Sequence, residues 1–325
     1  MNSKQKSILK ISIPILLSII AIWYSFSIIP LEKLVNSFRQ ADYSWVLLGT
    51  FLGLLSHLSR AYRWRFQLEP MGYKIKLGNS IMAVFAAYLI NYTIPRAGEV
   101  ARASVLTNYE GIPFEKSFGT IVSERIADMI VMLGIIFFTL FLQFDFIFAK
   151  LSESISTYNI IITAVTSVII ILILTRIIQK GNSKIVLKIK SFLIGLLEGI
   201  FSIFKMKKKW LFIFHTLFIW SMYVLMFYVT SFSIPEISDI PFAAILIGFI
   251  LASFSIAATN GGIGSYPLAI YAAFSVFNIP EDPSIAFGWI MWTSQTLMIM
   301  FFGGLSLLYL PFYNRKISKT NFKLC

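Results

Sequence analysis

Long apolar runs alternate with short polar breaks along the whole chain. Length and hydrophobic pattern predict membrane helices near residues 9–29, 44–62, 79–94, 118–143, 157–177, 210–232, 242–258, 264–278 and 285–312. Several of these runs approach or exceed the roughly 20 residues that cross a bilayer core. The first run follows a lysine-containing start but lacks a small-x-small cleavage site, so it reads as an uncleaved span. Residues 184–204 alternate lysine with apolar groups, which predicts an amphipathic segment on the cytoplasmic face. The quoted stretch "NYTIPRAGEVAR", residues 91–102, breaks an apolar run with proline, glycine and charge, and a shorter helix is expected at about 97–108.

Composition fixes the class. Of 325 residues, 57% are hydrophobic and only 13% charged, about half the charge of a soluble domain, and mean hydropathy is +0.78. The fold class is an all-α polytopic membrane protein. Residues 1–325 form a single integral membrane domain, with a first half at about 9–178, the linker 184–204, and a second half at about 210–312. The net charge of +13 reads as cations retained on the cytoplasmic side rather than as a nucleic-acid footprint. The single cysteine, Cys325, excludes an internal disulfide and a cysteine metal cluster. His57 and His215 read as packing or interhelical hydrogen-bonding residues rather than ligands.

Charge also sets the topology. Loop 63–78 (Arg63, Arg65, Lys74, Lys76), the stretch 176–209 and the tail carry the cations and belong inside. Loop 30–43 and the acidic loops with Glu236, Asp239, Glu281 and Asp282 belong outside. Only Lys33, Arg39 and Lys150 then lie on the outer face. Both termini are cytoplasmic in this map. The chain must enter and return between 79 and 117, and again between 242 and 278. About eight transmembrane helices result, with two opposed broken or re-entrant hairpins. Broken helices entering from opposite faces are the pattern of an inverted repeat whose substrate site lies near the midplane.

The first hairpin carries candidate chemistry. Pro95 suits a helix start; Arg96, Glu99 and Arg102 recur at intervals of three as one charged stripe. Asn91 precedes the break, and Gly98 permits close approach of a helix or a head group. Arginines beside a helix N-terminus suit phosphate. "SERIAD" at 123–128 sets Glu124 and Asp128 one turn apart, with Arg125 offset around the helix. Pairing of Arg96 or Arg102 with Glu124 or Asp128 is expected across the hairpin, as a lipid pathway or as a structural ion-pair network. In the second hairpin, Asn260, Gly261, Gly262 and Gly264 form a flexible turn ahead of Ser265 and Pro267. "YRWRF", residues 62–66, reads as an aromatic–arginine belt at the membrane interface.

"NYTIPRAGEVAR", "SERIAD" and the late "GGIG" together resemble the lysylphosphatidylglycerol synthase transmembrane family, often called flippase-like, over about residues 10–312. The resemblance implies a lipid flippase or lipid-binding transporter in the cell membrane. Thr259-Asn260 stand where many relatives have a proline before the paired glycines, and Ser265-Tyr266-Pro267 replace a following glutamate. Relatives that aminoacylate phosphatidylglycerol add a large soluble catalytic domain, for which this sequence leaves no room after its last span.

The leading reading is therefore a flippase or transporter holding an anionic phospholipid or polyprenyl-phosphate-linked head group. Its partners are membrane lipids, not nucleic acid, and no cofactor or metal is expected. An enzyme or subunit of lipid modification, by aminoacyl or glycosyl transfer, and a proton-coupled solute transporter are the alternatives. The sequence shows no nucleophile–base pair, metal cluster or nucleotide loop, which weighs against an enzyme. Residues 109–117 and 176–209 are expected to face the cytoplasm, and 233–241 and 279–284 the outside. Single-cysteine labelling in a background lacking Cys325 tests this. Reaction of 109–117 with an impermeant reagent outside intact cells would eliminate the first hairpin.

Overall fold

The computed structural model describes residues 3–94, 97–146, 148–149, scattered positions between 158 and 187, and 206–315. The expected span 157–177 and the amphipathic segment 184–204 lie largely outside the described residues. Every regular element among those residues is helical. The chain divides into two compact units, residues 1–124 with 207–325, and residues 125–206.

In the first unit, α1 (Ser3–Ile28) gives way at Pro30 to α2 (Leu31–Gln40), and the two are bent by 83°. The sequence pattern reads 30–43 as a loop, and the structure makes most of it helix. Leu31, Leu34, Val35 and Phe38 recur at helical spacing, so α2 is amphipathic. Its polar face carries Lys33, Asn36 and Gln40. Asp42 then accepts the Ser44 N–H at 2.9 Å and starts the next helix.

That helix, α3 (Tyr43–Leu68), has 26 residues, about 39 Å at 1.5 Å per residue. It runs antiparallel to α7 (Lys209–Ser231). Gly49 lies against Met226 and Thr230, while Ser59 meets His215 at 2.8 Å nearer the other end. Small residues let the backbones approach, as usual between membrane helices. Three described helices are long and apolar enough to cross a bilayer: α6 (Phe114–Leu142), α7 and α10 (Glu281–Tyr313). Leu297, Phe301, Leu305 and Leu308 form an exposed apolar stripe along α10.

The remaining four helices are short. α4 (Leu77–Thr93) and α5 (Ala97–Glu110) have 17 and 14 residues; α8 (Phe242–Ala258) and α9 (Ser265–Ser275) have 17 and 11. Each falls below the roughly 20 residues of a full span. They pair as two hairpins, and α10 serves both. Gly78 lies beside Tyr313, and Phe85 and Leu89 lie at Gly303. The Tyr92 hydroxyl then reaches Thr296 at 3.1 Å. So α4 follows α10 from its C-terminal end to its middle. The second hairpin covers the other half. Phe274 stacks on Phe287, Gly288 abuts Pro267, and Trp292 Nε1 donates to the Gly261 carbonyl at 2.8 Å.

The two turns meet where the Tyr92 ring lies against Gly261. Gly261 has φ +62° there, and a Cβ would run into that ring. Only glycine satisfies both conditions readily. Among the described residues the expected helix boundaries agree with those observed to within a few residues, except that α1 starts at Ser3 rather than near 9 and α3 continues past 62 to Leu68.

Gly98 closes the first hairpin. A Cβ there would collide with the Ala87 backbone carbonyl oxygen on α4. Backbone cannot rotate aside as a side chain can. Gly98→Ala is expected to push α4 and α5 apart, at an overpacking cost of about 1–3 kcal/mol. A melting curve in detergent reads the loss, and an unchanged midpoint would mean that the helices are not closely seated.

Candidate functional site

The charged residues of α3, α5 and α6 converge inside the first unit. Arg102, on α5, is 4% exposed, and Glu124, on α6, is 1% exposed. Arg102 grips Glu124 with both terminal nitrogens, at 2.6 and 3.3 Å. The planar guanidinium fork matches a carboxylate in this way, and burial strengthens the attraction. Arg63, on α3, brings its Nε to 3.9 Å from the same carboxylate and donates from Nη1 to Thr216 on α7 at 2.7 Å. One carboxylate therefore stands between two guanidiniums.

Aromatic residues fix the arginines. The Arg102 guanidinium lies 3.8 Å from the Trp64 ring centroid, a cation–π geometry. Trp64 is oriented by its indole N–H, which donates to Thr120 Oγ1 at 2.7 Å; Thr120 in turn donates to the Ser117 carbonyl. Arg63 lies 5.0 Å from the Phe212 ring centroid. Trp64 packs with Ala83, Ala103, Leu106 and Ile121, which ties the arginine cluster to both arms of the first hairpin. Because α4 starts beside the C-terminal end of α10, the cluster lies toward that end.

This corrects the reading of "YRWRF". Arg63 and Trp64 are fully buried and Phe66 is 5% exposed, so only Tyr62, at 38%, has the exposure of an interface belt. The signal was available as spacing: His57, Arg60, Arg63 and Trp64 lie at helical intervals on one face, and all four are buried. The two histidines pack: His57 meets Phe85, Tyr88 and Tyr223, and His215 joins Ser59. No group of three metal-binding side chains occurs among the described residues.

Other candidates from the first hairpin are placed as follows. Pro95 and Arg96 lie outside the described residues. Glu99 lies in the first turn of α5. Asn91 Oδ1 accepts the Gly98 N–H at 2.8 Å, and the Ala97 N–H goes to the Ile94 carbonyl at 3.2 Å. Two of the N–H groups expected to be free at the start of α5 are thus already used within the chain. Arg125 and Asp128 fall in the second unit, on the continuation of α6, with Asp128 one turn past Glu124.

At the second turn, Asn260 is 7% exposed and its Oδ1 has no hydrogen-bond partner among the described residues. Gly261, Gly262 and Gly264 all have positive φ, at 62°, 79° and 70°. Gly264 lies against the backbone of α1 at Ala21 and Ile22. Thr259 and Ser265 share a 2.7 Å hydrogen bond across the turn. Tyr92, Trp292 and Thr296, which join the two hairpins, were not singled out from sequence.

Glu124→Gln removes the charge that two arginines face. Breaking one partner of a buried pair costs about 3–5 kcal/mol, so this variant is expected to melt well below the parent, and Arg102→Lys by less. Melting curves of both proteins in one detergent decide. A Glu124→Gln protein as stable as the parent would mean that water, not Glu124, balances the arginines.

The sequence comparisons bear on this architecture. The family model described as lysylphosphatidylglycerol synthase TM region matches residues 11–304. A UPF0104 membrane protein of Methanocaldococcus jannaschii is 28% identical over 309 residues, covering 86% of this chain and 88% of that protein. The glycosyltransferase AglD of Haloferax volcanii is 27% identical over 122 residues, 37% of this chain but only 20% of that protein. With most of its length matched, this chain belongs to the lysylphosphatidylglycerol synthase transmembrane-region family.

Proposed function

We propose that the protein moves a lipid with an anionic head group, a phospholipid or a polyprenyl-phosphate-linked lipid, between the leaflets of the cell membrane. The observation that carries this reading is the meeting of two short hairpins at the middle of α10, where Tyr92 lies on Gly261. Irregular backbone at that depth is stable only in protein or beside a wet cavity, and broken helices of this kind line substrate sites in transporters. Two runs of long helix, short pair and long helix support an inverted repeat: α3, α4–α5, α6, and α7, α8–α9, α10. The antiparallel contact of α3 with α7 suits that relation. With both termini cytoplasmic and about eight spans, the arginine cluster lies toward the cytoplasmic side and the acidic end of α10 outside.

In this scheme Arg102 is the phosphate ligand. Its fork fits two phosphate oxygens as it fits Glu124, so a head group would take over the guanidinium from the carboxylate. The first turns of α5 lead to that position, and Glu124 holds Arg102 ready between substrates. Asn260 and the glycine turn offer neutral polar groups deeper in. The family name supports a lipid as the cargo. The partial similarity to a glycosyltransferase favours a second reading, in which the chain serves an enzyme of lipid-linked glycosyl transfer.

Reconstitution separates these readings. Purified protein in liposomes should speed the movement of fluorescent phosphatidylglycerol or a labelled polyprenyl phosphate between leaflets, followed by dithionite quenching. Arg102→Lys, which keeps charge but loses the fork, should move lipid more slowly while remaining folded. Rates equal to those of protein-free vesicles for both lipids would refute the transport reading.

A further inference from the structure

At the N-terminal end of α10 is a cavity unconnected with the arginine cluster. It holds about 240 Å³ and is lined by α2, by the 233–236 turn and by the first turn of α10. It is half open to its surroundings and admits one small polar group. Lys33 crosses its wall to Asp282 at 2.6 Å, and the Asp42 N–H donates to the Ser233 carbonyl at 2.9 Å. These contacts hold α2 against the two other walls.

The lining selects its occupant. Asn36 and Gln40 each offer an amide donor and acceptor. Ser233 is fully buried, and its Oγ has no partner among the described residues, so a hydrogen-bonding group is left over just behind the wall. Lys33 is the one cation of the lining, against the carboxylates of Glu236 and Asp282. That balance gives a phosphate no anchor within the lining. A cationic amine would find Asp282 already engaged by Lys33, with Glu236 as the one remaining carboxylate. Amides, a hydroxyl and carboxylates together are suited to neutral hydroxyl groups, each of which both donates and accepts.

The depth is that of a lipid head group. α2 is bent by 83° from α1, and Leu31 and Val35 on it are exposed at 63% and 39%. An amphipathic helix with such a face lies in the membrane surface, at head-group level.

We propose that this cavity binds the hydroxyl-bearing part of a lipid head group, a glycerol or a polyol ring, on the membrane face opposite the arginine cluster. The inference rests on the transport reading: the arginines take the phosphate at one face, and this cavity selects for hydroxyls at the other. The lipid is then recognised by two different chemistries at its two stations.

The test is lipid retention by the full chain in nanodiscs holding equal fractions of phosphatidylinositol, phosphatidylglycerol, phosphatidate and phosphatidylethanolamine, read by native mass spectrometry. The two hydroxylated lipids should be retained about tenfold over phosphatidate, the scale of two hydrogen bonds. Asn36→Ala/Gln40→Ala, on the exposed face of α2, should abolish that preference without changing the melting temperature. Ser233→Ala should weaken it. Equal retention of phosphatidate, preferential retention of phosphatidylethanolamine, or a preference untouched in the double variant would each overturn the proposal. Translocation assayed on the same preparations keeps the two ideas apart. Lipid movement without a hydroxyl preference sinks this inference alone, whereas a hydroxyl preference without movement sinks the transport reading and leaves the cavity as a binding site.

Discussion

A bilayer core offers no hydrogen-bond partner to a backbone that leaves its helix, and this structure is built around that constraint. Four of the described helices, α4, α5, α8 and α9, are each too short to span a bilayer and turn back on one another as two hairpins. The turns are satisfied by protein. Asn91 takes the Gly98 N–H in the first, and Trp292 takes the Gly261 carbonyl in the second. Both turns lean on α10, and the contact of Tyr92 with Gly261 makes them one buried junction.

The charged cluster obeys the same constraint by another route. Glu124, Arg102 and Arg63 are almost wholly removed from solvent, where an isolated charge would cost several kcal/mol. Bidentate pairing, a tryptophan face and threonine hydroxyls replace the water they lost. Such a cluster is weak evidence for stability by itself, because an apolar set of the same volume would often fold as well.

How much of this was legible depended on range. Helix limits are readable because hydrophobic length and breaks are local properties, and the first arm of the second hairpin is read at 242–258, as observed. Arg102 and Glu124 were nominated by spacing, and their pairing was foreseen as one of several. The burial of Arg63 and Trp64 was not, since an arginine beside an aromatic reads alike at an interface and in a core. What decides is the neighbour, here Thr216 on a helix 153 positions away. Helix α2 was missed for a different reason: ten residues with balanced charge resemble a loop unless the spacing of Leu31, Leu34, Val35 and Phe38 is counted. The Tyr92–Gly261 contact joins two loops that no local pattern relates.

The length of α10 has a mechanical consequence. Its 33 residues come to about 50 Å, against a hydrocarbon thickness of about 30 Å. A helix of that length must tilt, bend or protrude, and tilt responds to bilayer thickness. Both hairpins lean on this rod, one on each half, so a change in its inclination shears one half of the membrane domain against the other at the Tyr92–Gly261 junction. Lipid acyl-chain length thereby becomes a load on the protein, applied through a single helix to the place where its two halves touch.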